Sequence, residues 1–327
     1  MRAVLCTKWG EPADLVVGEA PNPTPGPGQV LIAVATAGLN FADTLLIAGK
    51  YQDKPPFPFT PGLEAAGEVL ATGERVTSCR PGDRVLAMLG GGAFAEQVVA
   101  NETDVMAIPE AMDFTTAAGF PVTYGTAHGA LVWRAGLSPG EVLLVHGAAG
   151  GVGLATVEVG KALGARVLAA AGGAEKLALA AAHGADHGID SREEDLRVRV
   201  KELTQGHGVD VVVDPVGGDA FDASLRCIAW GGRIVVIGFA GGRVPQIPAN
   251  ILLVKNISAV GFYWGSYRRH DPARLRSQFD ELLRWYGEGR LKPHVCQVFP
   301  LEEVAAAMAM MLGRKSTGKV VLSTGRA

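Results

Sequence analysis

The stretch Val142-Leu143-Leu144-Val145-His146-Gly147-Ala148-Ala149-Gly150-Gly151-Val152-Gly153 constrains the fold more than any other part of the chain. An apolar run that ends in a glycine-rich turn reads as a buried strand feeding directly into a helix. Glycines permit the sharp reversal and close backbone approach, and the free N–H groups that open the helix suit a pyrophosphate. Ala149, Gly150, Gly151, Val152 and Gly153 are therefore candidate contacts of a dinucleotide cofactor. Strictly the pattern is A-x-G-x-x-G, with Ala148 where the first glycine usually stands. Glycine is also the compositional outlier: 44 of 327 residues is about 13 %, nearly twice the usual ~7 %.

Around this turn the texture of the sequence changes. From residue 142 strand-like and helix-like stretches alternate, with strands expected at VLLVHG (142–147), RVLAAA (166–171), DHGID (186–190), VDVVVDP (209–215), RIVVIG (233–238) and ISAVGFY (257–263). Six such strands predict an α/β, doubly wound parallel sheet of the Rossmann type. In the first crossover helix, Val152, Ala155, Val159, Ala162 and Leu163 form an apolar stripe with Glu158 and Lys161 opposite it. Residues 1 to about 123 read instead as short strands between Pro/Gly turns, a mostly antiparallel β domain. After Tyr263 a helix over 272–287, a strand near HVCQVF, a helix from Leu301 and a strand KVVLS return the chain to that first domain. The expected division is 1–123 with 264–327 as one domain and 124–263 as the inserted one. Gly231-Gly232 is expected to end a helix, with Trp230 in the core.

Charge excludes other classes. Thirty Lys+Arg against 33 Asp+Glu leave a formal charge of -3, so no positive field exists to hold nucleic acid or an anionic membrane. No apolar run approaches the ~18 residues of a membrane span, and Arg2 and Lys8 interrupt any signal-peptide core, which together suggest a cytoplasmic protein. The four cysteines, Cys6, Cys79, Cys227 and Cys296, lie far apart and read as reduced thiols.

The choice of dinucleotide depends on the end of the second parallel strand, where an NAD site usually carries an acid. Here stand Ala170, Ala171, Gly172 and Gly173, followed by Lys176. Small residues leave room for a 2′-phosphate and a lysine supplies a cation, so NADPH is expected over NADH.

A second set of motifs lies outside the parallel sheet: Gly38-Leu39-Asn40-Phe41-Ala42-Asp43, Gly49-Lys50-Tyr51, Pro61-Gly62-Leu63-Glu64-Ala65-Ala66-Gly67-Glu68-Val69 and Gly82-Asp83-Arg84-Val85. In this order and followed by the glycine turn, they resemble the medium-chain dehydrogenase/reductases over essentially the whole chain. More narrowly the chain is similar to the zinc-free quinone oxidoreductase (zeta-crystallin-like) branch. The resemblance implies a GroES-like, mostly β catalytic domain into which the Rossmann sheet is inserted. Where zinc-dependent members carry a cysteine and a histidine ligand, this chain has Asn40 and Leu63, and the structural zinc lobe is replaced by LAMLGGGAFAEQV. Too few ligands remain for a catalytic zinc, and no metal is expected.

Hydride transfer from NADPH to an already activated acceptor, a quinone or an α,β-unsaturated carbonyl, is the activity that the resemblance implies. It assigns Tyr51 beside the nicotinamide as proton donor or orienting group, and Asn40 as a hydrogen-bonding partner of substrate carbonyl or cofactor, with helix capping the alternative for Asn40. Phe41, Tyr51, Tyr263 and Trp264 would line an apolar slot for a planar acceptor. Further cofactor positions carried over are Thr123, Gly172, Lys176, Ser191, Phe239, Ala240, Phe262 and Tyr263, of which Ser191 departs from the tyrosine common in relatives. Glu64 is expected to make a structural hydrogen bond, and His128, His146, His183 and His187 are expected to take no catalytic part. The rival readings are an enoyl-thioester reductase, with Arg268 and Arg269 meeting CoA phosphates, and an NADPH-holding structural or RNA-binding protein. The apolar last strand, ISAVGFY, lies at a sheet edge that wants a cover, from which a homodimer is expected.

Overall fold

The computed structural model describes residues 1–326, which fall into two compact units. One comprises Met1–Val122, Tyr267–Gly287 and the residues from Pro293 on; the other comprises Thr123–Ser266 and Glu288–Lys292. The second unit thus begins one residue earlier and ends three residues later than the sequence suggests. It also takes in a short later segment, for a definite reason. Lys292 donates its N–H to Glu158 (2.8 Å), Arg290 donates to the carbonyl of Ala162 (2.5 Å), and Leu291 is buried.

In this second unit, six strands form one all-parallel sheet in the spatial order His187–Asp190, Arg166–Ala171, Val142–His146, Val209–Asp214, Ile228–Val236, Ser258–Gly261. Numbered along the chain, that order is 3-2-1-4-5-6, so it reverses between the first and fourth strands. Runs such as Val211-Val212-Val213 and Leu143-Leu144-Val145 are buried on both faces, which is why they are continuously apolar rather than alternating.

Three local expectations fail here. Trp230 is 76 % exposed, and Gly231-Gly232 lie within a strand rather than at a helix end. The cause is register: Val209 pairs with Ile228 and Val211 with Arg233, so one residue faces four, and Ala229 to Gly232 bulge out of the ladder. Glu158 does not face solvent from helix Gly151–Ala162 but is buried, because that helix is covered on the side away from the sheet as well. Its carboxylate accepts from the Tyr124 hydroxyl (2.7 Å) and the Lys292 N–H, and pairs with His183. His183 therefore has a carboxylate partner that its sequence position did not suggest.

The first unit is built on Gln29–Leu39, an eleven-residue strand that pairs antiparallel with Glu64–Thr72, Gln97–Asn101 and Lys319–Ser323. Arg84–Met88 and Val105–Ala107 extend the sheet on one side and Val295–Pro300 on the other. Its core gathers Ile32, Val34, Leu39, Val85, Phe94 and Val320. The last strand, Lys319–Ser323, thereby reaches the oldest part of the sheet in chain order, beside Leu39. The C-terminal helix begins at Val304, after a 3-10 turn over Leu301–Glu303. Among the described residues no helix is long and apolar enough to cross a membrane.

Candidate active site

In the first unit, the candidate residues surround the point where strand Gln29–Leu39 gives way to helix Phe41–Ile47. Asn40 is the residue between them, the N-cap, and donates its backbone N–H to the Asp43 carboxylate (2.8 Å). Its side-chain amide is held at both ends. Nδ2 donates to Glu64 Oε1 (2.8 Å), and Oδ1 accepts from the Lys319 ammonium (2.6 Å). Lys319 also reaches Glu64 Oε1 (2.6 Å) and the Leu39 carbonyl (2.8 Å), while Glu64 Oε2 accepts the Val122 N–H (2.7 Å). All four side chains, Asn40, Asp43, Glu64 and Lys319, are buried. Glu64 makes structural hydrogen bonds, as its motif position suggested, and the Asn40 amide is bonded to Glu64 and Lys319 within its own unit.

Two carboxylates share one ammonium in this cluster. Burial pushes the Asp43 carboxyl up to about 7, against the opposing pull of the Asn40 N–H, the Lys319 charge and the Gly62 N–H. Sequence reasoning missed Lys319, which stands 279 residues after Asn40 and is brought there only when the last strand pairs with the first long one. Among the described residues, no group of three or more His, Cys, Asp or Glu is arranged to hold a metal ion. Phe41 opens the helix and is half-buried, and Tyr51, also half-buried, lies on the irregular segment that follows it. Arg268 and Arg269 are engaged nearby in sequence-distant ion pairs, with buried Asp104 (2.8 Å) and with Asp53 (3.4 Å).

In the second unit the glycine turn has the geometry that its sequence implies. Gly147 adopts φ +58, Gly150 N–H bonds back to Gly147 O (2.8 Å), and Leu154 N–H is the first to reach back along the helix, to Gly150 O (2.8 Å). The N–H groups of Gly151, Val152 and Gly153 are consequently left as donors at the start of a twelve-residue helix. A Cβ on Gly153 would stand 2.1 Å from the Gly147 carbonyl oxygen, so helix and turn touch through bare backbone. Beneath the turn, buried His146 bonds through Nε2 to Ser224 Oγ (2.7 Å), and its pKa is lowered by burial although Asp214 opposes the shift.

At the ends of the second and third strands a further cation appears. A Cβ on Gly172 would meet Arg192 Nε at 2.6 Å, so the guanidinium of Arg192 lies over the Gly172-Gly173 turn. Asp190 ties this corner together by accepting the N–H groups of Gly173 (3.1 Å) and Arg192 (3.0 Å), which hold its pKa below the ordinary value. Ser191, between them, is exposed, and Lys176 is half-buried on the helix that follows Gly173. The signal for Arg192 was a lone basic residue just past a strand end, adjacent to the Ser191 that sequence reasoning singled out.

The remaining positions divide. Phe239 and Ala240 are exposed on the loop after strand Ile228–Val236. Thr123 is buried on helix Pro121–His128. Phe262 and Trp264 are buried too, with rings against Gly129 and Gly125, where a Cβ would come within 2.5 Å and 2.3 Å of them. Their rings fill notches in their own unit. Tyr263 between them is half-buried.

Known proteins resemble the chain along its length. Residues 26–110 match the family model described as an alcohol dehydrogenase GroES-like domain, and residues 151–286 match that of a zinc-binding dehydrogenase. A quinone oxidoreductase-like protein 2 homolog from Nematostella vectensis is 47% identical over 326 residues, 99% of this chain and 89% of that protein. The Escherichia coli quinone oxidoreductase, solved in complex with NADPH, superposes with a TM-score of 0.92 at 31% identity and covers 99% of this chain and 100% of its own. Thermus thermophilus quinone oxidoreductase, also solved with NADPH, gives 0.87 at 36% identity over 99% and 100% of the two chains. The chain belongs to the quinone oxidoreductase branch of the medium-chain dehydrogenase/reductase family.

Proposed function

We propose that this oxidoreductase is zinc-independent and transfers a hydride from NADPH to quinones or α,β-unsaturated carbonyls. The observation that carries the cofactor reading is the pairing of the open donors at Gly151, Val152 and Gly153 with Arg192 over Gly172. The helix N-terminus holds the diphosphate, and Arg192 with Lys176 holds the 2′-phosphate, a group that both cations attract and that NADH lacks. The relatives solved with NADPH support the same choice. Zinc independence is supported by Asn40 and Leu63 in place of ligands, and by an Asn40 amide bonded to Glu64 and Lys319.

When bound, NADPH supplies the hydride. The protein's own part is to orient the acceptor and to place a proton. Tyr51 gives its phenolic proton to the oxygen of the reduced acceptor and is reprotonated from water; for a quinone and an enone alike, the hydride and this one proton complete the two-electron reduction. Of the cations first considered for the enoyl-CoA alternative, Arg268 is held by buried Asp104, while Arg269 stays exposed in a loose pair with Asp53. For assembly we infer a homodimer closed through the exposed edge strand Ser258–Gly261.

The test follows NADPH oxidation by nicotinamide absorbance against a quinone, an enone, an enoyl-CoA and a simple ketone, with and without chelator, and repeats each hit with NADH. Chelator-resistant turnover of quinone or enone, faster with NADPH, is the expected result. Loss of activity on chelation would overturn zinc independence, and a silent panel with NADPH still bound would favour a binding protein. Tyr51→Phe should lower kcat with NADPH affinity unchanged.

A further inference from the structure

The segment that carries Tyr51 runs from the end of helix Phe41–Ile47 to Phe59 without helix or extended strand of its own. Such a segment positions a phenol only if something fixes its two ends, and one side chain touches both. At the near end Gly49 adopts φ +67, and a Cβ there would stand 2.9 Å from Trp9 Cδ2, so the glycine lies directly against the indole. At the far end the Trp9 ring meets Phe57 edge-on, centroids 4.5 Å apart, and Phe59 at 5.8 Å, while Phe57 and Phe59 stack on each other at 5.7 Å.

Backbone bonds bring the same two ends to the stretch of chain that bears Trp9. Gly10 N–H donates to the Ile47 carbonyl (2.9 Å), and Cys6 and Phe59 exchange N–H to carbonyl bonds of 2.8 and 3.1 Å. The middle carries only an exposed Asp53–Arg269 pair at 3.4 Å. Trp9 is itself 37 % exposed and Phe57 41 %, so this aromatic group is not a buried core whose purpose is stability. Rigid aromatic rings with few rotamers are suited to fixing a loop's stems.

The geometry points to Trp9 as a positioning residue for Tyr51: it clamps Gly49 to Phe57 and Phe59 and so sets where the phenol is delivered. This rests on the proton-donor reading of Tyr51 above. It acts through the segment that bears Tyr51, and it belongs to no motif that the family resemblance singled out.

A double-mutant cycle tests it on the full chain. Trp9→Ala should lower kcat for the quinone by about tenfold, since small displacements of a reacting group cost one to two orders of magnitude. NADPH affinity should stay within about twofold, and Trp9→Phe should restore most of the rate, because the smaller ring still spans both stems. In a Tyr51→Phe background the same Trp9→Ala change should cost less than about twofold, as expected for residues that act as one unit. An equal loss in both backgrounds, or wild-type kcat in Trp9→Ala, would overturn the proposal. If Tyr51→Phe alone turns over at the wild-type rate, it is the proton-donor reading that fails, and the clamp role falls with it. Should Trp9→Ala not fold, Trp9→Phe and Trp9→Leu carry the same comparison.

Discussion

Asp43 shows what burial does to one residue of the candidate site. Its carboxyl accepts the Asn40 N–H on one oxygen, and burial is opposed only by that bond, the Gly62 N–H and the charge of Lys319, whose ammonium is already bonded to Glu64. Raised to about 7 in the folded chain from an ordinary value near 3.8, it stays protonated where the unfolded chain has ionised. Between these two values the native state holds the extra proton, so stability falls as pH rises, by up to about 1.4 kcal/mol per pH unit from this group, and levels off above pH ~7. Asp43→Asn keeps the shape and cannot ionise. Denaturant unfolding from pH 4 to 8 should show this slope in the wild type and its loss in Asp43→Asn; identical pH profiles would refute the shift. Asn40 and Glu64 were legible from local motifs, whereas Lys319 was not, because its partners lie 255 and 279 residues away and nothing in KVVLS signals a buried charge. Arg192 escaped for a similar reason: a basic residue past a strand end usually faces solvent, and only the bare Gly172 makes room for it.

At the scale of elements, the strand, turn and helix over Val142–Ala162 transmit sequence into site most directly. A methyl on Gly153 cannot coexist with the Gly147 carbonyl 2.1 Å away, so Gly153→Ala must lift the helix from the turn and misdirect its three open donors. NADPH affinity measured by fluorescence titration should fall by about tenfold or more, while the sheet and its far-ultraviolet dichroism persist; unchanged affinity would mean that the diphosphate binds elsewhere. The sheet was readable because doubly buried strands are continuous apolar runs and the helices between them keep their period. Periodicity misplaced Glu158, since the rule of one apolar and one wet face assumes a helix at the surface. This helix is covered on both sides, and its outward carboxylate is satisfied by Tyr124, His183 and Lys292 instead of water. Trp230 was misread because a four-residue bulge has no sequence signature distinct from a strand start.

For the whole molecule, the open question is how the parallel sheet ends. Among the described residues, strand Ser258–Gly261 pairs on one side only, with Ile228–Val236, and leaves a row of backbone donors and acceptors on the other. Just before it, helix Ala249–Lys255 turns Ile251 and Leu252 into the core but leaves Leu253 77 % and Val254 75 % exposed, with Val244 and Ile247 also exposed in the preceding loop. A free edge flanked by exposed aliphatic side chains favours a self-complementary contact, in which a two-fold axis pairs the edge with its own copy and covers both helices. Light scattering coupled to gel filtration should therefore find two chains per particle at micromolar concentration. Leu253→Asp combined with Val254→Asp leaves the core-facing Leu252 untouched and places charge where the second copy would pack; it should shift the particle to one chain without lowering NADPH affinity. A wild-type monomer would rule out the assembly, and a dimer that survives both aspartates would place the contact on another face.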